Sequence, residues 1–483
     1  MAIGRKEIIG SFFWKLLEKS SVQVVSFVVT LILARILTPD DYGLVALIMV
    51  LINIADVIIE GGLNTALIQK KGADNLDFST IFFISIAVSI IFYLVLFVCS
   101  PVISSFYHQP ELSLIIRILG ISLFFYAINS VQRAYVSKHM RFKVLFYSSL
   151  VSVVISGICG IVLAKKGAGV WALVVYNLLN ISVTTFIMWS RLPWRPCASF
   201  SFERFKELFD YGWKIMTANF LTSLFVNIRG LIIGKIYSPS VLAFFERGRQ
   251  FPTLIMNNIN TSIQTILFPV FSESQEDRGR VKDMVRRSIK ISCYFIFPLM
   301  VGLFVTAKPL IILLLTEKWI KAVPYVQIFS IAYLLMPMQI ANMEAVKSLG
   351  YSGITLKLEI IKKFIEITIL IITVFINAYA IAIGVVVYNF ICIFINSYPN
   401  VSLLNYKISE QLMDITPPFA ISLIMGFTIK LIQYSSIPIL IQLILQILIG
   451  AAVYIALSYL GRIDTLSYII SFFKRKEISD KAI

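Results

Sequence analysis

The sequence predicts an all-α integral membrane protein of about fourteen transmembrane helices, in two pseudo-symmetric six-helix bundles followed by a C-terminal helix pair. Three observations predict it: successive apolar runs of spanning length, an internal repeat, and basic residues that alternate between loops. Of the 483 residues, 58% are hydrophobic and 14% charged, whereas soluble domains sit near 45–50% apolar and about 25% charged.

The apolar runs cover 11–36, 43–68, 79–103, 113–134, 145–164, 169–190, 208–234, 241–270, 289–315, 322–346, 354–377, 379–398, 412–433 and 436–460. A hydrocarbon core of about 30 Å needs about 20 apolar residues in a helix. The first run is too long for a cleavable signal and carries Lys15, Glu18 and Lys19, so it reads as the first span. Six runs fall in 1–207, six in 208–407, and the last two in 408–483 with a basic tail. The connection 191–207, with Pro193 and Pro196, suits an interfacial linker between bundles. The segment 271–288 reads as a solvated loop leading to an amphipathic helix on the headgroups, with Arg286, Arg287 and Lys290 on its polar side.

The repeat supports the division into bundles. Phe13-Trp14-Lys15 returns as Gly212-Trp213-Lys214, and Arg35-Ile36-Leu37-Thr38-Pro39 returns as Lys235-Ile236-Tyr237-Ser238-Pro239. Pro39 and Pro239 are expected where the leading helix of each bundle reaches the outer surface. Repeated bundles are the usual plan of transporters that rock one half against the other.

Charge fixes the orientation. With a cytoplasmic N-terminus, 26 of the 43 Lys and Arg residues fall in cytoplasmic segments and 5 in outer loops, as the positive-inside rule requires. Both termini are then cytoplasmic. The net charge of +17 is accounted for by this topology and by anionic lipid facing the cytoplasmic side, so nucleic acid is not an expected partner. Five scattered cysteines form no CxxC pair, which argues against a disulfide framework or a zinc site. No HExxH or GxSxG motif or nucleotide-binding fold is present. The expectation is a secondary transporter without catalytic residues, metal or cofactor, drawing at most on an H+ or Na+ gradient.

Charges at the centre of a membrane helix cost about 2.5–3.5 kcal/mol each by insertion scales, so polar stripes need a reason. Lys15, Lys19, Gln23, Ser26 and Thr30 share one face of the first helix; Asn53, Asp56, Glu60 and Asn64 share one of the second. Glu246, Gln250, Thr253, Asn257, Asn260 and Gln264 share one of the eighth. Hydrogen bonding between helices explains isolated Asn and Thr residues, but full-length stripes with charges point to a central polar cavity. Its candidate anion-binding residues are Lys15, Lys19, Lys214, Arg229, Arg247 and Arg249, with Gln23, Asn53, Asn64, Gln250, Asn257, Asn260 and Gln264 as polar lining. Lys15, Lys19 and Lys214 equally suit helix ends, where long side chains snorkel to water. Arg suits phosphate because its planar fork makes paired hydrogen bonds. Asp56, Glu60 and Glu246 are candidates for ion coupling, against the alternative of pairing with a neighbouring cation. Glu344, Lys362, Lys363 and Glu366 read as a structural ion-pair cluster.

Several segments carry a family resemblance: Ala34-Arg35-Ile36-Leu37-Thr38-Pro39, Tyr42-Gly43, Gly61-Gly62-Leu63, Gly169-Val170-Trp171-Ala172-Leu173-Val174, Trp194-Arg195-Pro196, Glu246-Arg247-Gly248-Arg249-Gln250 and Phe268-Pro269. In this order and spacing they resemble bacterial polysaccharide flippases of the multidrug/oligosaccharidyl-lipid/polysaccharide (MOP) exporter superfamily, in the polysaccharide transporter family near its WzxC-like group. The likeness runs from about residue 10 to 405. It implies a multi-pass protein of the bacterial cytoplasmic (inner) membrane that flips undecaprenyl-diphosphate-linked oligosaccharide by alternating access, for O-antigen, capsule or exopolysaccharide. Implied partners are that substrate, membrane lipids, and the polysaccharide polymerase and glycosyltransferases of the same synthesis. A multidrug antiporter of the same superfamily would favour an acidic cavity. A peptidoglycan-precursor flippase is a nearer alternative, and a membrane-bound glycan polymerase would need a large outer loop that the sequence lacks.

Overall fold

A computed structural model describes residues 5–273, 277–434 and 437–466. Among them the chain is helical almost throughout, and it divides into two compact units, Met1–Ala243 and Phe244–Ile483. Among the described residues twelve segments are long and apolar enough to cross a membrane, so this is a multi-pass membrane protein.

The first unit contains α1 (Arg5–Ile36), α2 (Pro39–Gln69), α3 (Asn75–Tyr107), α4 (Glu111–Gly120), α5 (Ser122–Lys138), α6 (Phe142–Lys165), α7 (Val170–Arg191) and α8 (Phe202–Ile236). Helix starts follow capping chemistry. Thr38 and Asp41 form a capping box at α2, with Pro39 in the first turn, where its missing N–H costs nothing. Asp74 and Asp77 do the same for α3. The repeated hydroxyl–Pro pair therefore marks the start of the next helix as much as the end of the leading one. Ser238 repeats the cap by accepting a bond from the Val241 N–H at 3.2 Å.

The run expected over 113–134 is two helices, α4 and α5, meeting at Ile121. Gly120 makes room there for the Tyr93 ring, which would lie 3.1 Å from a β-carbon at that position. The core of the unit gathers Leu63, Leu67, Phe78, Ile81, Val131 and Trp194. The helix α8, whose sequence repeats that of α1, packs along α2. A β-carbon at Gly62 would stand 2.0 Å from the Gly212 carbonyl oxygen, so only glycine admits this approach of two backbones.

Next in the chain comes α9 (Pro239–Glu273), whose first residues fall in the first unit. The second unit continues with α10 (Arg278–Leu315), a 3-10 turn (Glu317–Ala322), α11 (Val323–Tyr333), α12 (Met336–Ser348), α13 (Ser352–Val374), α14 (Ala378–Leu403), α15 (Ile408–Leu431) and α16 (Ile439–Leu460). The run expected over 322–346 breaks between α11 and α12, where Pro337 in the first turn of α12 supplies no N–H to continue the ladder. The basic stretch expected as a separate surface helix is instead the first three turns of α10. Asp277 caps it by accepting from the Arg280 N–H at 2.9 Å. Three of its cations pair with acids on α15: Lys282 with Glu410 at 3.2 Å, and Arg286 and Lys290 with Asp414 at 2.7 and 3.3 Å.

The last helix pair is tied into this unit. Asn342 Nδ2 donates to Gln411 at 2.8 Å, Asn400 Nδ2 to Asn342 Oδ1 at 2.8 Å, and the Tyr454 hydroxyl to the Tyr294 carbonyl at 2.7 Å. Neither α9 nor α13 is among the twelve apolar segments; α13 carries Lys357, Glu359, Lys362, Lys363 and Glu366 within 23 residues. The expected cluster of Glu344, Lys362, Lys363 and Glu366 resolves into local pairs: Glu344 with Lys347, Glu359 with Lys362, and Lys363 with Glu366.

Candidate functional site

In the first unit the repeated Trp-Lys pair of α1 sits on the start of α6. The Lys15 ammonium lies 5.3 Å from the Phe142 ring centre, and Trp14 packs on Phe146 and Tyr147 with Lys143 over its ring at 5.4 Å. Lys15 and Lys19 are exposed and Gln23 is half-buried. On α8, Lys214 is exposed and Arg229 half-buried.

The polar face of α2 meets a polar face of α5. Helical spacing brings Asp56, Glu60 and Asn64 into one row. The Asn64 amide donates to the Ser130 hydroxyl at 2.6 Å, and Arg133 donates to Glu60 at 3.4 Å. The buried Oδ1 of Asp56 has no protein hydrogen-bond partner, and neither has the Oδ1 of Asn64. Ser122 and Asn129 on α5 are buried and have none either. Asn53, at the start of the row, is exposed.

Ser130 and Arg133 were not among the candidates, and Arg133 reads from sequence as part of a cytoplasmic segment. Tyr126, Ser130 and Arg133 are spaced by four and three residues inside an apolar run, a stripe like that on α2. That pattern was the available signal.

At the foot of α2 and α3, Asp77 is fully buried between two cations, Lys70 at 3.0 Å and Arg204 at 3.3 Å. Lys70 also reaches Glu207 at 2.7 Å. Burial alone would lower the Lys70 pKa, but the hydrogen bonds to Glu207 and Asp77 together hold it above the ordinary value. The Asp74 carboxyl, bonded by the backbone N–H of Asp77 and close to Arg204, lies below the ordinary value. These groups fasten the first turns of α8 to the α2–α3 corner.

In the second unit the first half of α9 carries Glu246-Arg247-Gly248-Arg249-Gln250. Arg249 pairs with Glu246 at 2.6 Å, while Arg247 donates to the neutral Gln250 at 2.6 Å and lies 5.7 Å from the Trp319 ring centre. Gly248 permits the arrangement, because a β-carbon there would meet Tyr325 Cβ at 2.3 Å. Asn257 is exposed. Asn260 and Gln264 lie on α9, but their side chains fall outside the described residues.

The acids singled out for ion coupling are thus not equivalent. Glu60 and Glu246 each face an arginine, and Asp56 keeps an unpartnered oxygen.

Known proteins are similar to this chain in sequence and in fold. A family model described as "Polysaccharide biosynthesis protein" matches residues 32–324. The teichuronic acid biosynthesis protein TuaB of Bacillus subtilis is 24% identical over 333 residues, which is 68% of this chain and 69% of that protein. The succinoglycan biosynthesis transport protein ExoT of Rhizobium meliloti is 21% identical over 330 residues, 68% of this chain and 67% of that one. The lipopolysaccharide biosynthesis protein WzxC of Escherichia coli is 22% identical over 333 residues, 68% of each. Among solved structures, lipid II flippase MurJ in an inward closed conformation matches with a TM-score of 0.75 at 14% identity, covering 94% of this chain and 100% of that one. An inward-facing multidrug resistance MATE transporter of the MOP superfamily matches with a TM-score of 0.62 at 16% identity, covering 81% and 99%. These structural likenesses establish the fold of that superfamily, and the family model, which spans more than half of the chain, establishes that the protein belongs to the polysaccharide biosynthesis protein family.

Proposed function

We propose that this protein moves undecaprenyl-diphosphate-linked oligosaccharide from the inner to the outer leaflet of the bacterial cytoplasmic membrane, with both termini cytoplasmic. The observation that carries the reading is the basic series on the leading helices α1, α8 and α9: Lys15, Lys19, Lys214, Arg229, Arg247 and Arg249. Arginine forks would hold the diphosphate. Gln23, Asn53, Asn64, Gln250, Asn257, Asn260 and Gln264 would hydrogen-bond sugar hydroxyls while the lipid tail remains in the bilayer. Family membership supports this, as do relatives named for polysaccharide synthesis and transport. Alternating access would move two halves that follow the sequence repeat, 1–207 and 208–407, with 408–483 travelling with the second half. A proton or Na+ gradient would drive the cycle.

A second reading, transport of a peptidoglycan precursor, is favoured by the fold likeness to a lipid II flippase. The test is flipping of labelled undecaprenyl-diphosphate oligosaccharide in proteoliposomes, with labelled lipid II in a parallel set. Transport of the oligosaccharide alone supports the first reading, and transport of lipid II alone replaces it with the second. If Arg229→Ala, Arg247→Ala and Arg249→Ala each left flipping unchanged, the diphosphate assignment would be wrong.

A further inference from the structure

We infer that the Asp56 carboxyl is the proton-binding group of this transporter, and that the polar seam between α2 and α5 is its route to water. The seam is polar along several turns. Asn64 and Ser130 hydrogen-bond across it at 2.6 Å, and Glu60 and Arg133 face each other at 3.4 Å.

Between and beyond these bonds lie groups with no protein partner: Asp56 Oδ1, Asn64 Oδ1, the Ser122 hydroxyl and both polar atoms of the Asn129 amide. Ser122 is 4% exposed and Asn129 1%. Such groups are costly to bury unless water satisfies them, and a polar seam between helices is where ordered water resides. A hydrated seam both resolves this debt and brings protons to Asp56.

The three acids singled out from sequence now separate. Glu60 has Arg133 as counter-charge, and Glu246 has Arg249 at 2.6 Å. Asp56 keeps a buried carboxyl oxygen with no protein hydrogen-bond partner, which leaves that oxygen open to a proton. The charged groups acting on it are Glu60 on its own helix and Arg133 on α5, and the Tyr126 phenol on α5 faces the same pair. The helices α3, α4, α7 and α8 also pack on α2, and among the described residues they present no charged side chain that acts on Asp56. Glu60 lies one helical turn from Asp56 on the same face, and Arg133 reaches Glu60 from α5 at 3.4 Å. A change in the Glu60–Arg133 contact therefore changes the proton affinity of Asp56, which is what coupling to a conformational cycle needs. The step balances simply: a hydronium gives its proton to the carboxylate and leaves as water, and water takes the proton back on release.

Proton binding can be followed without any transported substrate, so it stands or falls separately from the choice of cargo. The measurement is infrared difference spectroscopy of the purified protein in lipid between acid and alkaline pH, reading the stretch of a protonated carboxyl. The expected result is a titrating band that disappears in Asp56→Asn and survives in Glu60→Gln and Glu246→Gln. The inference is overturned if the band survives Asp56→Asn. It is also overturned if Na+ added at constant pH removes the band from the unaltered protein, which would make the seam a sodium site. Should Asp56→Asn fail to fold, Asp56→Glu keeps the carboxyl but displaces it, and an unchanged titration midpoint would equally overturn the inference. Failure of the flipping assay leaves this result untouched.

Discussion

Arg286 donates to both carboxylate oxygens of Asp414, through Nε and Nη2, each at 2.7 Å. The Asp414 side chain is only 5% exposed, and it also accepts from the Tyr406 hydroxyl at 2.8 Å. This contact joins the start of α10 to the start of α15. Arg286→Ala leaves Asp414 with Lys290 and Tyr406, so the expected loss is about 1–3 kcal/mol, read as a lower melting temperature in detergent. Asp414→Ala also strips Tyr406 and Lys290 of a partner and should cost more than Arg286→Ala; equal losses would show that Arg286 is the only partner that matters.

The same contact sets a pH dependence. Burial first, and then the hydrogen bond to Asp414, push the Tyr406 phenol above its ordinary range. A raised folded-state pKa means that the native state holds the proton more tightly than the unfolded chain does. Its stabilisation is therefore complete below about pH 10, the unfolded value for tyrosine, and is lost as the pH rises above it. Tyr406→Phe should flatten the alkaline limb of a melting-temperature profile, and an unchanged limb would remove Tyr406 as its cause.

At Gly62 the backbones of α2 and α8 meet with no room for a side chain. Gly62→Ala is expected to cost about 1–3 kcal/mol through overpacking, whereas Gly72→Ala, where no neighbour stands within 4 Å, should cost less and act only through its positive φ of 74°. Comparison of the two variants by thermal unfolding checks this. Equal losses would mean that the close approach carries no strain.

Asp77 is fully buried between Lys70 and Arg204. Asp77→Ala leaves both cations without it and also removes a capping group of α3, so a loss of about 3 kcal/mol or more is expected. The double change Asp77→Ala with Lys70→Met should lose less than the sum of the single changes. Strict additivity in that cycle would show that the two residues do not interact.

Orientation is testable by labelling. With native cysteines replaced, Arg280→Cys should react with an impermeant maleimide only from the cytoplasmic side and Lys166→Cys only from outside. The reverse pattern would invert the topology.

Much of the architecture was legible because membrane helices must satisfy their backbone internally and be apolar for a set length. Neither condition depends on what a helix packs against. The Thr38-Pro39 and Ser238-Pro239 pairs were equally plain, since caps are local chemistry. The breaks near Ile121 and Leu334 were not, because both sides of each break remain apolar. Over the basic stretch before residue 290, amphipathicity shows that the cations need a polar neighbour, and only the packed structure supplies Asp414, more than 120 positions away.

The candidate site shows the same division at single residues. From sequence, Asp56, Glu60 and Glu246 are alike: acids in apolar helices, each in a row of polar neighbours. What a row cannot say is which residue of another helix lies opposite. Sequence alone determined that this chain crosses a membrane many times, repeats short motifs about 200 residues apart, and carries an excess of basic residues on its leading helices. Only the tertiary structure decided that Glu60 meets Arg133 of α5 and that an oxygen of Asp56 is buried without a protein hydrogen-bond partner, whereas the Glu246–Arg249 pair is local, three residues apart on one helix. The physical reason is that a charge in a membrane is governed by its nearest partners within a few ångströms, and for Glu60 that partner comes from another helix, 73 residues along the chain.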